Sequence, residues 1–146
     1  MFIGTVLCYG QTGAGKTWTM SGDESNKENW GLTRRYIEYL FNEINDLKGV
    51  AEVTVSCEFL EIYCDELRDL FYIMDNKKNR KALEHPPKLE VGLSADKRVV
   101  VKGITTKMAG TPEELMSLFN EGNRGRVVHA TAMNSESSRS HSVFTI

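Results

Sequence analysis

Apolar residues recur along the chain with three different spacings, and each spacing predicts a different element. Thr5-Val6-Leu7-Cys8-Tyr9 is a β-forming run closed by Gly10 and reads as a short buried strand. Beyond Gly31, the residues Ile37, Leu40, Phe41, Ile44 and Leu47 fall on one helical face, with Gly49 as the stop. Val53, Val55, Cys57 and Phe59 alternate with polar residues as in a strand. Leu60 and Ile62 then change the phase, which implies a bulge or a second strand.

Shorter signals fill the intervals. A helix opens within GKTWTM, and the polar residues 21–30 form a surface loop. Residues 64–71 (CDELRDLF) read as one or two helical turns, and residues 76–88, with a basic run and paired prolines, as a loop or insertion. Two short strands are expected around residues 89–91 and 98–102, joined by a Ser94-Ala95-Asp96-Lys97 turn. Thr111-Pro112-Glu113-Glu114 is a helix start with a Thr cap, Pro at the first helical position and Glu placed for a capping box. Leu115, Leu118 and Phe119 supply its buried face, residues 135–142 are polar and Ser-rich, and Val143 begins a last strand. The alternation of strands and helices predicts an α/β or mixed-sheet domain.

Composition narrows the function. At 146 residues, 40% hydrophobic and 26% charged, the chain is the size and make-up of one globular domain. A net charge of −2 gives no global attraction to nucleic acid, so an acidic partner would have to meet a local basic patch. The run Lys77-Lys78-Asn79-Arg80-Lys81 has no interleaved aromatic residue to stack on bases and reads as solvated. Three cysteines without a C-x-x-C pair argue against a disulfide framework and for a reducing compartment. The three histidines share no metal-ligand spacing.

Gly10-Gln11-Thr12-Gly13-Ala14-Gly15-Lys16-Thr17 matches G-x-x-x-x-G-K-[ST] without a mismatch. The glycines let successive amide groups converge on one anion, and the following helix adds its positive end. Lys16 is suited to the β- and γ-phosphates of a nucleotide, and the Thr17 hydroxyl to one Mg2+ position. Asn134-Ser135-Glu136-Ser137-Ser138-Arg139-Ser140-His141 has hydroxyls for a metal or water and an Arg for a carboxylate, yet by itself such a stretch is ordinarily a solvated loop.

Taken together, GQTGAGKTWTM, GLTRR (residues 31–35), FLEIYCDELRDLF (59–71), VKG (101–103), EGN (121–123) and NSESSRSHSVFTI (134–146) resemble the kinesin motor domain, in the order that family has them. The resemblance covers essentially the whole chain and only the middle of a kinesin motor. It implies a P-loop NTPase of three α-β-α layers around a central mixed sheet, incomplete at both ends, that binds ATP or ADP with Mg2+. It makes residues 10–17 the P-loop and residues 134–141 switch I, the loop that closes on the γ-phosphate. Asn134 would then approach the γ-phosphate, Ser137 hold the attacking water, Ser138 give Mg2+ a second hydroxyl and Arg139 pair with a switch II glutamate. His141 would be a packing member of the same loop.

Two further positions stay open between two readings each. Trp18 stands where many kinesins place an aromatic or His beside the nucleotide base, and it packs either on adenine or in the core. Lys97 and Arg98 lie where the family touches microtubules, and they are either that contact with acidic tubulin or a solvated turn. The chain departs from the family pattern at Arg34, usually Pro, at Cys64, often Asn, and at Gly125, often larger and polar, which puts local loop geometry in question.

Switch II, the first sheet strands, the main microtubule-binding helix and the neck linker have no counterpart among these residues, so the resemblance implies a central piece of a motor that by itself does not turn over ATP. The parent would be a microtubule motor ATPase of the cytoplasm and its microtubule cytoskeleton, with a cilium or flagellum left open, and dimeric through a coiled coil outside this sequence. The alternative is a non-motile nucleotide- or microtubule-binding module of kinesin descent.

Overall fold

The computed structural model describes residues 4–133 and 140–146, and of residues 127–133 the backbone alone. The chain divides into two compact units, Met1–Val53 and Thr54–Ile146.

The first unit carries two helices, α1 (Lys16–Met20) and α2 (Leu32–Asp46). Helix α2 buries Ile37 and Phe41 of the expected face and half-buries Leu40 and Ile44, whereas Leu47 falls just past its end and is exposed; Gly49 follows at a φ of 83°. Between the helices, a 3-10 turn (Lys27–Asn29) sits in a loop closed at its neck by a Gly22–Trp30 bridge. Arg35 fastens this loop, donating from Nε to the Trp30 carbonyl at 2.8 Å and from Nη2 to the Glu28 carbonyl at 2.9 Å.

The strand expected over residues 5–9 is absent: that segment has no regular structure, and Val6, Leu7 and Tyr9 are exposed. A strand exists only through its ladder partners, and no described segment pairs with this one.

The second unit is built on one long strand, β1 (Val55–Tyr63), and every ladder in the unit's two sheets is antiparallel. β1 pairs with β2 (Glu66–Asp69), with β5 (Lys107–Ala109) and with β6 (Ser140–Thr145). No second strand or break explains the phase change at Leu60. Phe59, Leu60 and Glu61 are consecutive buried residues of a single strand with neighbours along its length. Helix α5 (Pro112–Met133) starts as its sequence predicts: Thr111 Oγ1 accepts from the Glu114 amide at 3.1 Å. The Glu114 carboxylate reaches one residue past the usual partner, to the Gly110 amide at 2.7 Å. Among the described residues of α5 the buried apolar side chains are Leu115, Met116 and Phe119, whereas Leu118, expected on that face, is only half-buried. The three share the core with Phe59 and Phe71, and the half-buried Phe144 packs against Phe59 and Phe119. A separate hairpin joins β3 (Glu90–Leu93) to β4 (Val99–Lys102), close to the expected bounds.

Three expectations are corrected. Residues 64–71 do not begin as a helix: Cys64 and Asp65, at φ 49° and 64°, form a two-residue turn between β1 and β2, and helix α3 (Leu70–Asp75) follows. Both residues left-handed is the type I′ signature, which suits the twist of a hairpin. Residues 76–88 contain a short helix, α4 (Arg80–Glu84), capped by Asn79. Gly125 lies inside α5 rather than in a loop, where a Cβ would stand 2.5 Å from the Leu70 carbonyl oxygen, so any larger residue would push α3 and α5 apart.

The type I′ turn gives a first testable consequence. Cys is poorly suited to the left-handed region, whereas Asn tolerates it through local hydrogen bonding. Cys64→Asn, the residue many kinesins carry here, is expected to stabilise the chain by ~0.5–1 kcal/mol. A urea midpoint that stays put or falls, at constant m, would refute this assignment of the turn.

Candidate functional site

The glycine loop takes the conformation its sequence calls for. Gly13 and Gly15 sit at φ 84° and 88°, and open space surrounds the place where a Cβ would stand, so backbone angle alone demands glycine there. The loop closes with the Ala14 amide donating to the Gln11 carbonyl at 3.2 Å. Gly15 is the N-cap of α1 and has no side chain to occupy the first helical amides. Those donors stand open to an outside acceptor.

Lys16 folds back over the loop that precedes it. Its ammonium donates to the carbonyls of Gly10 at 2.6 Å and Gln11 at 2.8 Å. Two of the three ammonium N–H groups are thus spent on orienting the charge, and one is left for a further acceptor. Thr12, Ala14 and Thr17 are exposed along the same loop and first turn. Trp18 is 59% exposed, so packing in the core does not account for it. The Cys8 thiol, beside the loop, points at the Lys16 carbonyl at 3.7 Å.

Of the second motif, Asn134, Ser137, Ser138 and Arg139 lie outside the described residues, while Ser140 and His141 are the first residues of β6. The motif therefore ends in a sheet strand and not in a loop. Opposite Ser140 in the ladder is Tyr63, and opposite His141 is Ile62.

Lys97 and Arg98 occupy the β3–β4 turn as expected, but they are not equivalent. Lys97 is exposed at φ 63°. The Arg98 guanidinium is engaged within the turn by Asp96, and the hydrogen bond from Arg98 holds the Asp96 carboxyl down at about 2. Lys97 is the cation that projects.

Sequence reasoning passed over two polar clusters in the second unit. Lys107 on β5 donates to Asp75 and to Glu121, both at 2.8 Å, and lies 5.0 Å from the centre of the Phe71 ring. Partial burial acts to lower the Lys107 ammonium pKa, but the two carboxylates outweigh it and raise it. Glu61 on β1, 4% exposed, accepts from Arg126 Nε at 3.0 Å, with Arg68 at 3.7 Å on its other oxygen. Glu61 falls among apolar residues in a strand, and nothing in its neighbours marks it as buried. Cys57 is buried, and that burial pushes its thiol up to about 11, so it stays protonated and inert near neutrality. Among the described residues no group of carboxylates, histidines and cysteines could hold a metal ion, and no helix is long and apolar enough to cross a membrane.

Comparison with known proteins gives the family. The family model of the kinesin motor domain matches residues 2–146. Kinesin-like protein 3 of Schizosaccharomyces pombe is 38% identical over 145 residues, which are 99% of this chain and 24% of that protein. Kinesin heavy chain of Strongylocentrotus purpuratus is 37% identical, over 99% of this chain and 13% of its own length. A solved structure described as that of a fast kinesin superposes with a TM-score of 0.76 at 35% identity, over 93% of this chain and 36% of the other. The chain thus spans about a quarter or less of these two relatives and about a third of the solved motor. With 35% identity behind the structural match, the architecture is that of a P-loop NTPase of the α/β class. The chain belongs to the kinesin motor-domain family.

Proposed function

We propose that these residues are the ATP-binding core of a kinesin-like motor, in which ATP hydrolysis is coupled to movement on microtubules. The observation that carries the proposal is the glycine loop: left-handed Gly13 and Gly15, uncapped amides at the start of α1, and a Lys16 ammonium already oriented by two loop carbonyls. That donor set fits the phosphates of ATP or ADP. Gly10, Gln11, Thr12, Gly13, Ala14 and Gly15 line the cradle, Lys16 takes the outer phosphates, and Thr17 gives its hydroxyl to Mg2+. The exposed Trp18 ring is free to lie against the base. Mg2+, when bound, neutralises charge on the phosphates.

By the family pattern, Asn134 senses the γ-phosphate, Ser137 orients the attacking water, Ser138 supplies the second hydroxyl toward Mg2+ and Arg139 pairs with a carboxylate outside this sequence. Lys97, and Arg98 to the extent Asp96 releases it, meet the acidic surface of tubulin. Such a motor works in the cytoplasm on the microtubule cytoskeleton.

The test is a titration with a fluorescent ATP analogue and Mg2+. The wild-type chain is expected to bind. Lys16→Ala removes a charge-assisted hydrogen bond of ~1.5–3 kcal/mol, so its affinity should drop roughly 10- to 100-fold. Equal binding by both forms would sink the reading.

A further inference from the structure

Helix α1 has five residues, far fewer than the ~12–15 at which a helix begins to stand by itself in water. Whatever holds its ends therefore decides whether it persists. That matters for the glycine loop, because Lys16 and Thr17 are the first two residues of α1. The far end of α1 is held by the start of α2. The Ser21 carbonyl, just past α1, accepts from the amide of Gly31, the N-cap of α2, at 3.2 Å. A Cβ added at Gly31 would stand 2.4 Å from the Met20 carbonyl oxygen, so backbone meets backbone where one helix ends and the other begins. Residues 22–30 are an excursion that leaves and returns at that junction. Its two arms are tied by the Gly22–Trp30 bridge and by the Asp23 amide, which donates to the Asn29 carbonyl at 2.9 Å.

Arg35 fastens the returning arm from the α2 side. Its side chain runs back toward the start of α2, as long helical side chains do. Nε donates to the Trp30 carbonyl at 2.8 Å, and Nη2 donates to the carbonyls of Glu28 at 2.9 Å and Lys27 at 3.4 Å. One planar fork thus fixes three carbonyls of the arm, which the single point charge of a lysine cannot do with the same geometry. Trp30 tightens the same knot. The Arg34 guanidinium and the Lys27 ammonium lie 5.0 and 5.5 Å from the centre of its ring, and its indole N–H donates to the Glu24 carbonyl at 3.3 Å.

We infer that Arg35 is a positioning residue for the phosphate cradle: by locking residues 27–30 it holds the Gly31–Ser21 junction, and through that junction it holds α1, with Lys16 and Thr17, in register with the glycine loop. This role rests on the nucleotide reading above. Without the fork the returning arm loosens, the junction opens and α1 frays from its far end. The cradle meets the phosphates that a diphosphate and a triphosphate share, so fraying should weaken both nucleotides alike.

The experiment titrates the chain, in Mg2+, with a fluorescent ADP analogue and a fluorescent non-hydrolysable ATP analogue, comparing wild type with Arg35→Ala, Arg35→Lys and Lys16→Ala. Hydrogen exchange of the same forms follows two amides of α1, Thr19, bonded to the Gly15 carbonyl, and Ser21, bonded to the Thr17 carbonyl, both at 2.8 Å. The amide of Phe41, in α2, is the control. Arg35→Ala is expected to weaken both analogues at least about 5-fold, the lower end of ordinary coupling between sites, and by factors within about twofold of each other. Thr19 and Ser21 should lose protection in that variant while Phe41 keeps it. Arg35→Lys keeps the charge and loses the fork, so it should be weakened too. Affinity within twofold of wild type in Arg35→Ala overturns the inference and leaves the nucleotide reading intact. So does a loss without faster exchange in α1, a loss of protection that Phe41 shares, or a Lys variant that binds like wild type, which would put the effect down to charge alone. A wild type that binds neither analogue, or a Lys16→Ala form that binds both as well, overturns the reading and this inference together.

Discussion

Phe59→Ala is expected to lower the stability of the chain by ~3–5 kcal/mol, the usual cost of truncating a fully buried Phe. Phe59 is 1% exposed and stands where four elements meet. Its ring lies 5.6 Å from Phe119 of α5 in a stacked pair, 5.0 Å from Phe144 of β6 and 6.4 Å from Phe71 of α3. Phe119 and Phe144 also touch each other edge to face at 5.2 Å, so the cluster is closed on itself and has no slack side chain to fill a void. On its remaining side is Gly122, where a Cβ would come within 2.8 Å of Phe59 Cε1 and closer still to Cδ1.

That last contact makes the prediction sharper than a single loss. Gly122→Ala should destabilise the wild-type chain by ~1–3 kcal/mol, because the ring cannot retreat through its aromatic neighbours. In a Phe59→Ala background the obstacle is gone, and the same change should stabilise by up to about 1 kcal/mol through helix propensity. A double-mutant cycle by urea denaturation reads the difference, and additive effects would show that Phe59 and Gly122 do not share the space assigned to them.

The same cluster shows what could be read in advance. Phe59 and Phe119 were visible as core because they fall on periodic apolar faces, one with period two and one helical. Gly122 was visible only as part of a family motif, since the reason for a glycine there is a ring 63 positions upstream. Leu60 and Glu61 misled the pattern for a related reason. Phe59, Leu60 and Glu61 are all buried, so both faces of the strand are covered here and alternation no longer reports on it.

The conformation of the glycine loop, by contrast, was legible. It is set by backbone angles and two local lysine hydrogen bonds, which short-range sequence dictates. The strand before it was not, because residues 5–9 carry the right side chains but a ladder depends on partners the segment cannot supply by itself. The helix read into residues 64–71 failed at a turn whose residues, Cys64 and Asp65, are not the Asn-Gly pair that ordinarily announces it.

Asp69 carries the second large effect, and it too was hidden by distance in sequence. One carboxylate oxygen caps α3, accepting from the Tyr72 amide at 2.9 Å. The other accepts from the Thr105 amide at 2.6 Å, across 36 residues, and so pins the segment before β5 to the end of β2. Asp69 is 9% exposed and the two amides it serves are half-buried, so both bonds are largely shielded from water. Asp69→Ala loses the cap, ~1 kcal/mol, and a charge-assisted hydrogen bond from the half-buried Thr105 amide, ~1.5–3 kcal/mol more, for a total of ~2–4 kcal/mol. Asp69→Asn separates the two contributions. Its single amide oxygen can serve one of the two N–H groups, while its NH2 must face the other donor to donor. Its loss should therefore fall between wild type and Ala. Urea midpoints for the three forms decide it: an Asn variant as stable as wild type would mean that one of the two bonds contributes nothing, and an Ala variant within 1 kcal/mol of wild type would mean that neither does.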